Sequence, residues 1–210
     1  MTTSHLYIKN MCCNRCIEIV SKLLKKAGYK PVSVIVGEVV IAKIITENAL
    51  QKIKEQLHTR GFDIADKSDD KMVIRIQALL FKYLDEVAGK DKDGGHKKLS
   101  TYLAEMMQRN YYHLSHIFSI NSGLTIEKYY IRLKIEKAKE LIINDELSIS
   151  GIAHELGYSS QQTFSTQFKK ETGKTPGEYR INPVPARVHL DKMLPQNFKQ
   201  NKYKNKQIER

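Results

Sequence analysis

The sequence predicts an α+β chain in two parts, an N-terminal βαββαβ unit and an all-α unit with two helix-turn-helix motifs. Residues 5–65 alternate between short runs rich in β-branched residues and segments whose apolar residues recur at helical spacing. Residues after 71 show helical patterns, and one pattern of short helix, glycine and capped helix occurs twice. These observations predict a small sheet domain followed by a helical domain.

One helix-turn-helix is predicted within residues 148–180, which read SISGIAHELGYSSQQTFSTQFKKETGKTPGEYR. Gly157 is expected to end its first helix, because glycine is favoured just after a helix C-terminus. Ser159 or Ser160 is expected to cap the second helix through its hydroxyl group. We call the second helix of each such motif its recognition helix.

The predicted second recognition helix has two chemically different faces. Phe164 and Phe168 are four residues apart, so they share one face and are expected to point into the core. The opposite face carries Ser159, Gln162, Thr163, Thr166, Lys169 and Lys170, with Gln161 nearby. Amides and hydroxyls suit base edges and lysines suit phosphates, so this face is predicted to contact the DNA major groove. The alternative is an ordinary amphipathic helix with a solvated polar face.

The motif repeats at a constant offset of fifty residues. The paired positions are Leu114/Phe164, Ser115/Ser165, Phe118/Phe168, Gly123/Gly173, Thr125/Thr175 and Tyr129/Tyr179. The first recognition helix is predicted over residues 111–121, and Thr125 is predicted to cap a long helix ending near residue 143. The outward face of the first recognition helix is predicted to carry Tyr112, His113, His116 and Ser119. A repeated helix-turn-helix is hard to explain as a solvated surface.

Residues 71–183 resemble the DNA-binding domain of the AraC family of transcription regulators. The resemblance rests on GIAHELGYSSQQTFSTQFKKETGKTPGEYR and on YYIRLKIEKAKELI, with its arginine, leucines and alanine at the spacing typical of that family. It implies seven helices, with a long middle helix that holds the two recognition helices in successive major grooves. It also implies a sequence-specific transcription regulator that binds double-stranded DNA. Most of the cations of the middle helix are expected to cover solvent or approach phosphates; they are Lys128, Arg132, Lys134, Lys137 and Lys139.

The N-terminal unit is predicted to contain strands at residues 5–9, 32–36, 39–45 and 62–65, separated by two helices and a turn at Gly37-Glu38. This βαββαβ order is the ferredoxin-like plan. Residues 67–71 are polar and mark the predicted boundary with the helical domain.

A Met-x-Cys-x-x-Cys pattern lies between the first strand and the first helix. Pattern and element order together resemble a heavy-metal-associated domain over residues 3–67. That resemblance implies that Cys13 and Cys16 bind a soft metal ion such as Cu(I), with Met11 packed beneath the loop. The sequence departs from the family at two positions: Asn10 stands where glycine is usual, and Cys12 stands where serine or threonine is usual.

Three interpretations of the cysteine loop stay open. The first is metal sensing or buffering. The second is an interaction or dimerisation module whose thiols are idle, and the third is thiol redox chemistry. The chain is therefore expected to be a regulator that responds to metal, a metal-buffering protein tethered to DNA, or a regulator with a non-metal interaction module.

The predicted domains are 1–67, 71–183 and a basic, disordered tail at 184–210. An apolar stripe within residues 73–84 predicts a helix that matches the first helix of the resembled DNA-binding domain. It could equally pack on the N-terminal unit or on a second copy of the chain, which would form a homodimer. The net charge of +12 favours polyanionic partners. No transmembrane run or signal peptide is apparent, which predicts a cytoplasmic protein. No catalytic constellation stands out, so no enzyme is predicted.

Overall fold

The structure, a computed structural model, describes residues 3–11, 14–65, 68–87 and 97–183 of the 210. Contacts divide the described residues into two units. The first unit holds those up to Leu79 together with Tyr112–Gly123, and the second holds Leu80–Tyr111 and those from Leu124 onward. The predicted tail at 184–210 lies outside the described residues.

The N-terminal elements follow the predicted βαββαβ order. They are β1 (Ser4–Lys9), α1 (Asn14–Lys26), β2 (Pro31–Ile35), β3 (Glu38–Ile41), α2 (Glu47–His58) and β4 (Asp63–Ile64). The strands form one antiparallel sheet in the order β2-β3-β1-β4. The chain is thus a mixed α and β protein with a small antiparallel sheet at its N-terminal end.

Apolar residues of both helices and the sheet build the core of this part. Leu6 and Ile8 alternate along β1 and are both buried, as their spacing predicts. The core also contains Val20, Leu23 and Leu24 of α1, Val39 and Ile41 of β3, and Ile53 and Leu57 of α2.

Two strand features differ from the sequence prediction. β3 ends at Ile41 rather than at residue 45, and the carbonyl of Lys43 accepts a hydrogen bond from the Ser4 hydroxyl at 2.9 Å. The hairpin turn is Val36-Gly37, because Glu38 already pairs with Ile35 in the ladder. The β-branched residues after Ile41 favoured a strand prediction up to residue 45, but the sheet does not pair with them.

A long helix, α3 (Ser68–Val87), follows the sheet. It includes residues 68–71, which the sequence predicted as a polar boundary. Asp69 and Asp70 lie in its first turn, where carboxylates interact favourably with the helix dipole. Asp70 also forms an ion pair with Lys9 at 2.7 Å. The polar residues 68–71 therefore form the N-terminus of a helix.

The helices that follow are α4 (Leu99–Met107), α5 (Tyr111–Ser122), α6 (Ile126–Asn144), α7 (Ile149–Glu155), α8 (Gln161–Thr172) and α9 (Pro176–Ile181). With α3, residues 68–183 hold seven helices among the described residues, as the resemblance implied. In the described parts of the chain, none of the helices has the length and apolarity that crossing a bilayer requires.

The fifty-residue repeat is also a structural repeat. Gly123 and Gly173 both have positive φ, at 71° and 79°. Thr125 caps α6 by accepting from the Lys128 N–H, and Thr175 caps α9 by accepting from the Glu178 N–H. The paired aromatic positions are all buried: Phe118 with Phe168, and Tyr129 with Tyr179. Each equivalent pair therefore adopts the same local structure.

Candidate nucleic-acid interface

A glycine and a serine define the turn that leads into α8. Gly157 has a φ of 66°, a left-handed conformation that glycine adopts without strain, and it follows Leu156, the C-cap residue of α7. Ser160 has extended backbone and is the N-cap, its hydroxyl accepting from the Thr163 N–H at 3.1 Å. Of the two serines that the sequence offered, Ser160 is the cap.

The inner face of α8 is anchored by aromatic side chains. Phe164 and Phe168 are fully buried, and their ring centroids are 5.6 Å apart. Phe164 also contacts the Tyr158 ring, and Phe168 meets Tyr179 of α9 edge-on at 5.5 Å. Helices α6, α7 and α9 all pack on α8. This packing fixes which side of α8 faces outward.

The residues predicted for DNA contact by the second recognition helix lie on the outward side of α8 and in the turn just before it. Those residues are exposed and comprise Ser159, Gln161, Gln162, Thr163, Thr166, Lys169 and Lys170. Gln161, Gln162 and Thr166 make no side-chain hydrogen bond within the described residues. Their amide and hydroxyl groups are available to a ligand, whereas Lys169 and Lys170 place positive charge in the last turn.

Helix α5 presents a chemically different surface. Tyr112, His113 and His116 are exposed and Ser119 is half-buried, so the first three of the predicted residues are accessible. The rings of Tyr112 and His116 stack with an interplanar angle of 3° and centroids 6.4 Å apart. The helix contains no lysine or arginine. Any contact that α5 makes with a phosphate must therefore use neutral or histidine side chains.

A cluster of tyrosines around Lys134 was not predicted from the sequence. The Lys134 ammonium lies 4.3 Å from the ring centroid of Tyr158 and 5.5 Å from that of Tyr130. Burial lowers the pKa of Lys134 to about 8 and raises the pKa of Tyr158 to about 12. The ring faces favour the ammonium and so oppose part of the effect of burial. The only signal in the sequence is a tyrosine four residues before the lysine.

Lys134 is an exception to the expectation that the cations of this helix mostly cover solvent or approach phosphates. Other cations of α6 are engaged within the second unit: Arg132 with Glu171 at 3.8 Å, and Lys137 with Asp85 at 3.9 Å. Among the cations of α6, Lys128 in the first turn stays exposed, and Lys169 and Lys170 of α8 are exposed beside the polar face of that helix.

The predicted metal loop is described in part. Cys12 and Cys13 lie outside the described residues, and Cys16 is buried at the start of α1. Met11 is buried, and its sulfur accepts a hydrogen bond from the Gly37 N–H at 3.4 Å. No group of three or more histidine, cysteine or acidic residues is placed to hold a metal within the described part of the chain.

The backbone explains one departure from the heavy-metal-associated pattern. Asn10 has a φ of 71°, a conformation that glycine and asparagine adopt more readily than other residues. Its side-chain amide donates to the Gly61 carbonyl at 2.8 Å. Asparagine therefore meets the conformational demand of this position and adds a contact to the turn that follows α2.

Known proteins share the C-terminal part of the chain. Residues 103–182 match the family described as a helix-turn-helix domain. The bifunctional transcriptional activator/DNA repair enzyme AdaA of Bacillus subtilis (strain 168) is 31% identical over 90 residues, which are 43% of this chain and 43% of that protein. The transcriptional regulatory protein YesN of the same strain is 30% identical over 155 residues, 65% of this chain and 41% of that protein. The chain spans less than half the length of both curated relatives.

Among solved structures, the C-terminal domain of the two-component response regulator yesN from Fusobacterium nucleatum subsp. nucleatum ATCC 25586 is 30% identical. The match covers 50% of this chain and 94% of that chain, with a TM-score of 0.42. The family match includes α5 and α8 in full, so the similarity lies in the part of the chain that carries both recognition helices.

Proposed function

We propose that this chain, whose residues 103–182 match a helix-turn-helix domain family, is a sequence-specific DNA-binding transcription regulator of the AraC family. The observation that carries the proposal is the construction of α8. Its inner face is fixed by Phe164 and Phe168, and its outward face presents two lysines beside two glutamines whose amides have no partner within the described residues. A helix that enters the major groove needs this combination of a fixed orientation and a polar, cationic face.

The roles on α8 follow from side-chain chemistry. Gln162, with Gln161 beside it, can pair through its amide with the N6 and N7 atoms of adenine. Lys169 and Lys170 neutralise phosphates, which adds affinity without sequence information. The net charge of +12 supports the same partner, because a basic protein gains affinity when counterions leave the duplex.

Helix α5 is proposed as the second reader. Tyr112, His113, His116 and Ser119 supply hydroxyl and imidazole groups for bases or phosphates, and Tyr112 adds an aromatic surface. Because α5 lacks lysine and arginine, its contribution to affinity should depend less on salt than that of α8.

Selection of binding sites from random-sequence DNA tests this function. The full-length chain is incubated with duplexes that hold 30 random base pairs, and bound duplexes are amplified over several rounds. The proposal predicts a recurring sequence that binds roughly a thousandfold or more tightly than scrambled DNA of the same composition. A pool that stays random, with equal affinity for all duplexes, would refute it.

Cytoplasmic location and the absence of catalysis belong to the same proposal. The DNA repair activity in the name of AdaA is a property of that protein, and this chain matches 43% of its length. Homodimer formation is proposed as well, and sedimentation of the full-length chain with and without its DNA site tests it.

A second proposal concerns the cysteine loop: Cys13 and Cys16 bind a soft metal ion such as Cu(I), and the metal changes DNA affinity. Its support is the anchoring of the loop start, where the Met11 sulfur accepts from the Gly37 N–H and Asn10 adopts a left-handed conformation at the position where glycine is usual. Two thiolates suit a two-coordinate soft ion, which the protein would hold at the start of α1. The burial of Cys16 also fits the idle-thiol alternative.

Anaerobic titration of Cu(I) separates these alternatives. The metal is added to the full-length chain, and to Cys13→Ser and Cys16→Ser variants, while DNA affinity is measured at fixed salt. Cys12→Ser is the matched control, because it removes a thiol that the proposal does not use. Regulation requires stoichiometric binding lost in the first two variants together with a shift in DNA affinity. Binding without that shift indicates buffering, and no binding indicates idle thiols.

A further inference from the structure

The hydroxyl of Thr163 is engaged inside the protein. Its Oγ1 lies 2.9 Å from the Oγ of Ser160, the residue that caps α8, and 3.5 Å from the Oγ of Ser159. The Ser160 Oγ also accepts from the Thr163 N–H, so the backbone and side chain of Thr163 are both tied to the cap. When the Thr163 hydroxyl donates to Ser160, its hydrogen is not available to DNA unless that contact breaks, and only its lone pairs stay free to accept.

Thr163 is nonetheless exposed on the outward face. Because its hydroxyl contacts Ser160, the other group of this side chain, the methyl, is the one considered for contact with DNA. Thr166, one turn further along, makes no hydroxyl hydrogen bond within the described residues, whereas the Thr172 hydroxyl donates to the Phe168 carbonyl. Thr163 and Thr166 are both exposed, and of these two only Thr163 has its hydroxyl engaged within the described residues, which leaves its methyl for contact with a ligand.

Gln162 immediately precedes Thr163 and has an unpaired amide among the described residues. An amide that pairs with adenine and a methyl that packs on thymine are the two side-chain groups that recognise A·T pairs in the major groove. Adjacent on one turn, they can address neighbouring base pairs. Neither group selects guanine, for which arginine or lysine is the usual partner.

We infer that Thr163 is a specificity-determining residue, which reads a thymine 5-methyl through its own methyl in an A·T-containing half-site that Gln162 also contacts. This inference rests on the proposed function and adds to it the base composition that α8 selects. The Ser160 cap is then a positioning residue, since it holds the Thr163 hydroxyl away from the DNA.

The test replaces thymine by deoxyuridine, which removes only the 5-methyl group. Each thymine in the selected DNA site is replaced in turn, and the affinity of the full-length chain is measured. At one thymine in the α8 half-site, the replacement should lower the affinity of the wild-type protein roughly fourfold. This loss is equivalent to exposing one apolar carbon. The Thr163→Val variant keeps a methyl group and removes the hydroxyl, so its affinity should fall by the same factor when that thymine is replaced by deoxyuridine.

Thr163→Ser supplies the decisive contrast, because it keeps the hydroxyl and removes the methyl. This variant should bind thymine and deoxyuridine duplexes equally. Thr166→Ser is the matched control and should retain the wild-type discrimination.

Discrimination that persists in Thr163→Ser, or the absence of discrimination at every thymine, would overturn the inference while leaving sequence-specific binding intact. Failure to recover any preferred DNA sequence in the selection is a different result, because it removes the proposed function itself.

Discussion

Gly37 and Ile74 are in direct contact: a β-carbon built on Gly37 would lie 2.4 Å from Cγ2 of Ile74 and 3.4 Å from its carbonyl oxygen. Gly37 forms the β2–β3 turn with a φ of 83°, and Ile74 lies in the first half of α3. The carbonyl of Gly37 accepts from the Ile8 N–H at 2.8 Å, so the turn cannot move away easily. This glycine is needed both for its backbone conformation and for the close approach of α3.

Alanine at Gly37 should destabilise the protein more than alanine at Gly28. Both glycines have nearly the same positive φ, 83° and 82°, so both variants carry the same backbone strain. A β-carbon at Gly28 meets nothing within 4 Å, whereas one at Gly37 collides with Ile74. The difference in the free energy of unfolding, measured with urea, should be about 1–3 kcal/mol, the usual cost of overpacking.

A second substitution checks the cause of that difference. Ile74→Ala removes the atom nearest to the added carbon, so it should cost less in the Gly37→Ala background than in the wild-type chain. Equal destabilisation by the two glycine variants would show that α3 does not press on this turn.

Lys134 makes the stability of the second unit depend on pH. Burial lowers its pKa from 10.5 to about 8, so between these values the unfolded chain binds more protons than the folded chain. The contribution of Lys134 to stability must then rise as pH increases through this window, and it is least favourable below pH 8.

Lys134→Met isolates this effect, because methionine fills a similar volume and does not titrate. The free energy of unfolding of the wild-type chain, minus that of the variant, should rise by on the order of 1 kcal/mol between pH 7 and pH 9.5. The cation–π contacts with Tyr158 and Tyr130 reduce the magnitude without reversing the sign. A difference that stays constant over this range would show that the ammonium is solvated.

Lys170 should contribute to DNA affinity through phosphate contact alone. Lys170→Ala should weaken binding to the selected site and to scrambled DNA by similar factors. It should also reduce the slope of log affinity against log salt by about 0.9, the value for one phosphate contact. Lys25→Ala in the last turn of α1 is the control for net charge, since Lys25 is also exposed. An unchanged slope in Lys170→Ala would remove the phosphate assignment.

Thr175 closes a reciprocal cap that its repeat partner Thr125 lacks. The Glu178 carboxylate accepts from the Thr175 N–H at 2.7 Å, while Thr175 accepts from the Glu178 N–H. The equivalent position to Glu178 in α6 is Lys128, which cannot accept a hydrogen bond. Thr175→Ala and Thr125→Ala should each cost about 1 kcal/mol in thermal unfolding, with the larger loss at Thr175. A larger loss at Thr125 would contradict this.

Local features of this fold were predictable from the sequence. The caps at Ser160, Thr125 and Thr175 need only a hydroxyl before a helical pattern, and Gly157 and Gly173 need only a residue that tolerates positive φ after one. The burial of Phe164 and Phe168 and the exposure of the opposite face follow from helical spacing. The fifty-residue offset added independent support at each equivalent position.

Features that depend on distant partners were not predictable. The contact of Gly37 with Ile74, and the ion pair of Lys9 with Asp70, join residues that are far apart in the chain. The place of Lys134 between two tyrosines depends on the path of the chain after Gly157. The end of β3 at Ile41 depends on where its neighbours stop pairing, and composition alone does not contain that information.

The most direct test of the central claim compares Gln162→Ala with the wild-type chain on two DNA molecules, the selected site and a scrambled duplex of equal length and composition. If α8 reads bases through this amide, affinity for the selected site should fall by roughly ten- to a hundredfold, the cost of losing one bidentate base contact. Affinity for scrambled DNA should change little, since Gln162 carries no charge. An equal loss on both duplexes, or no loss on either, would contradict base reading by α8.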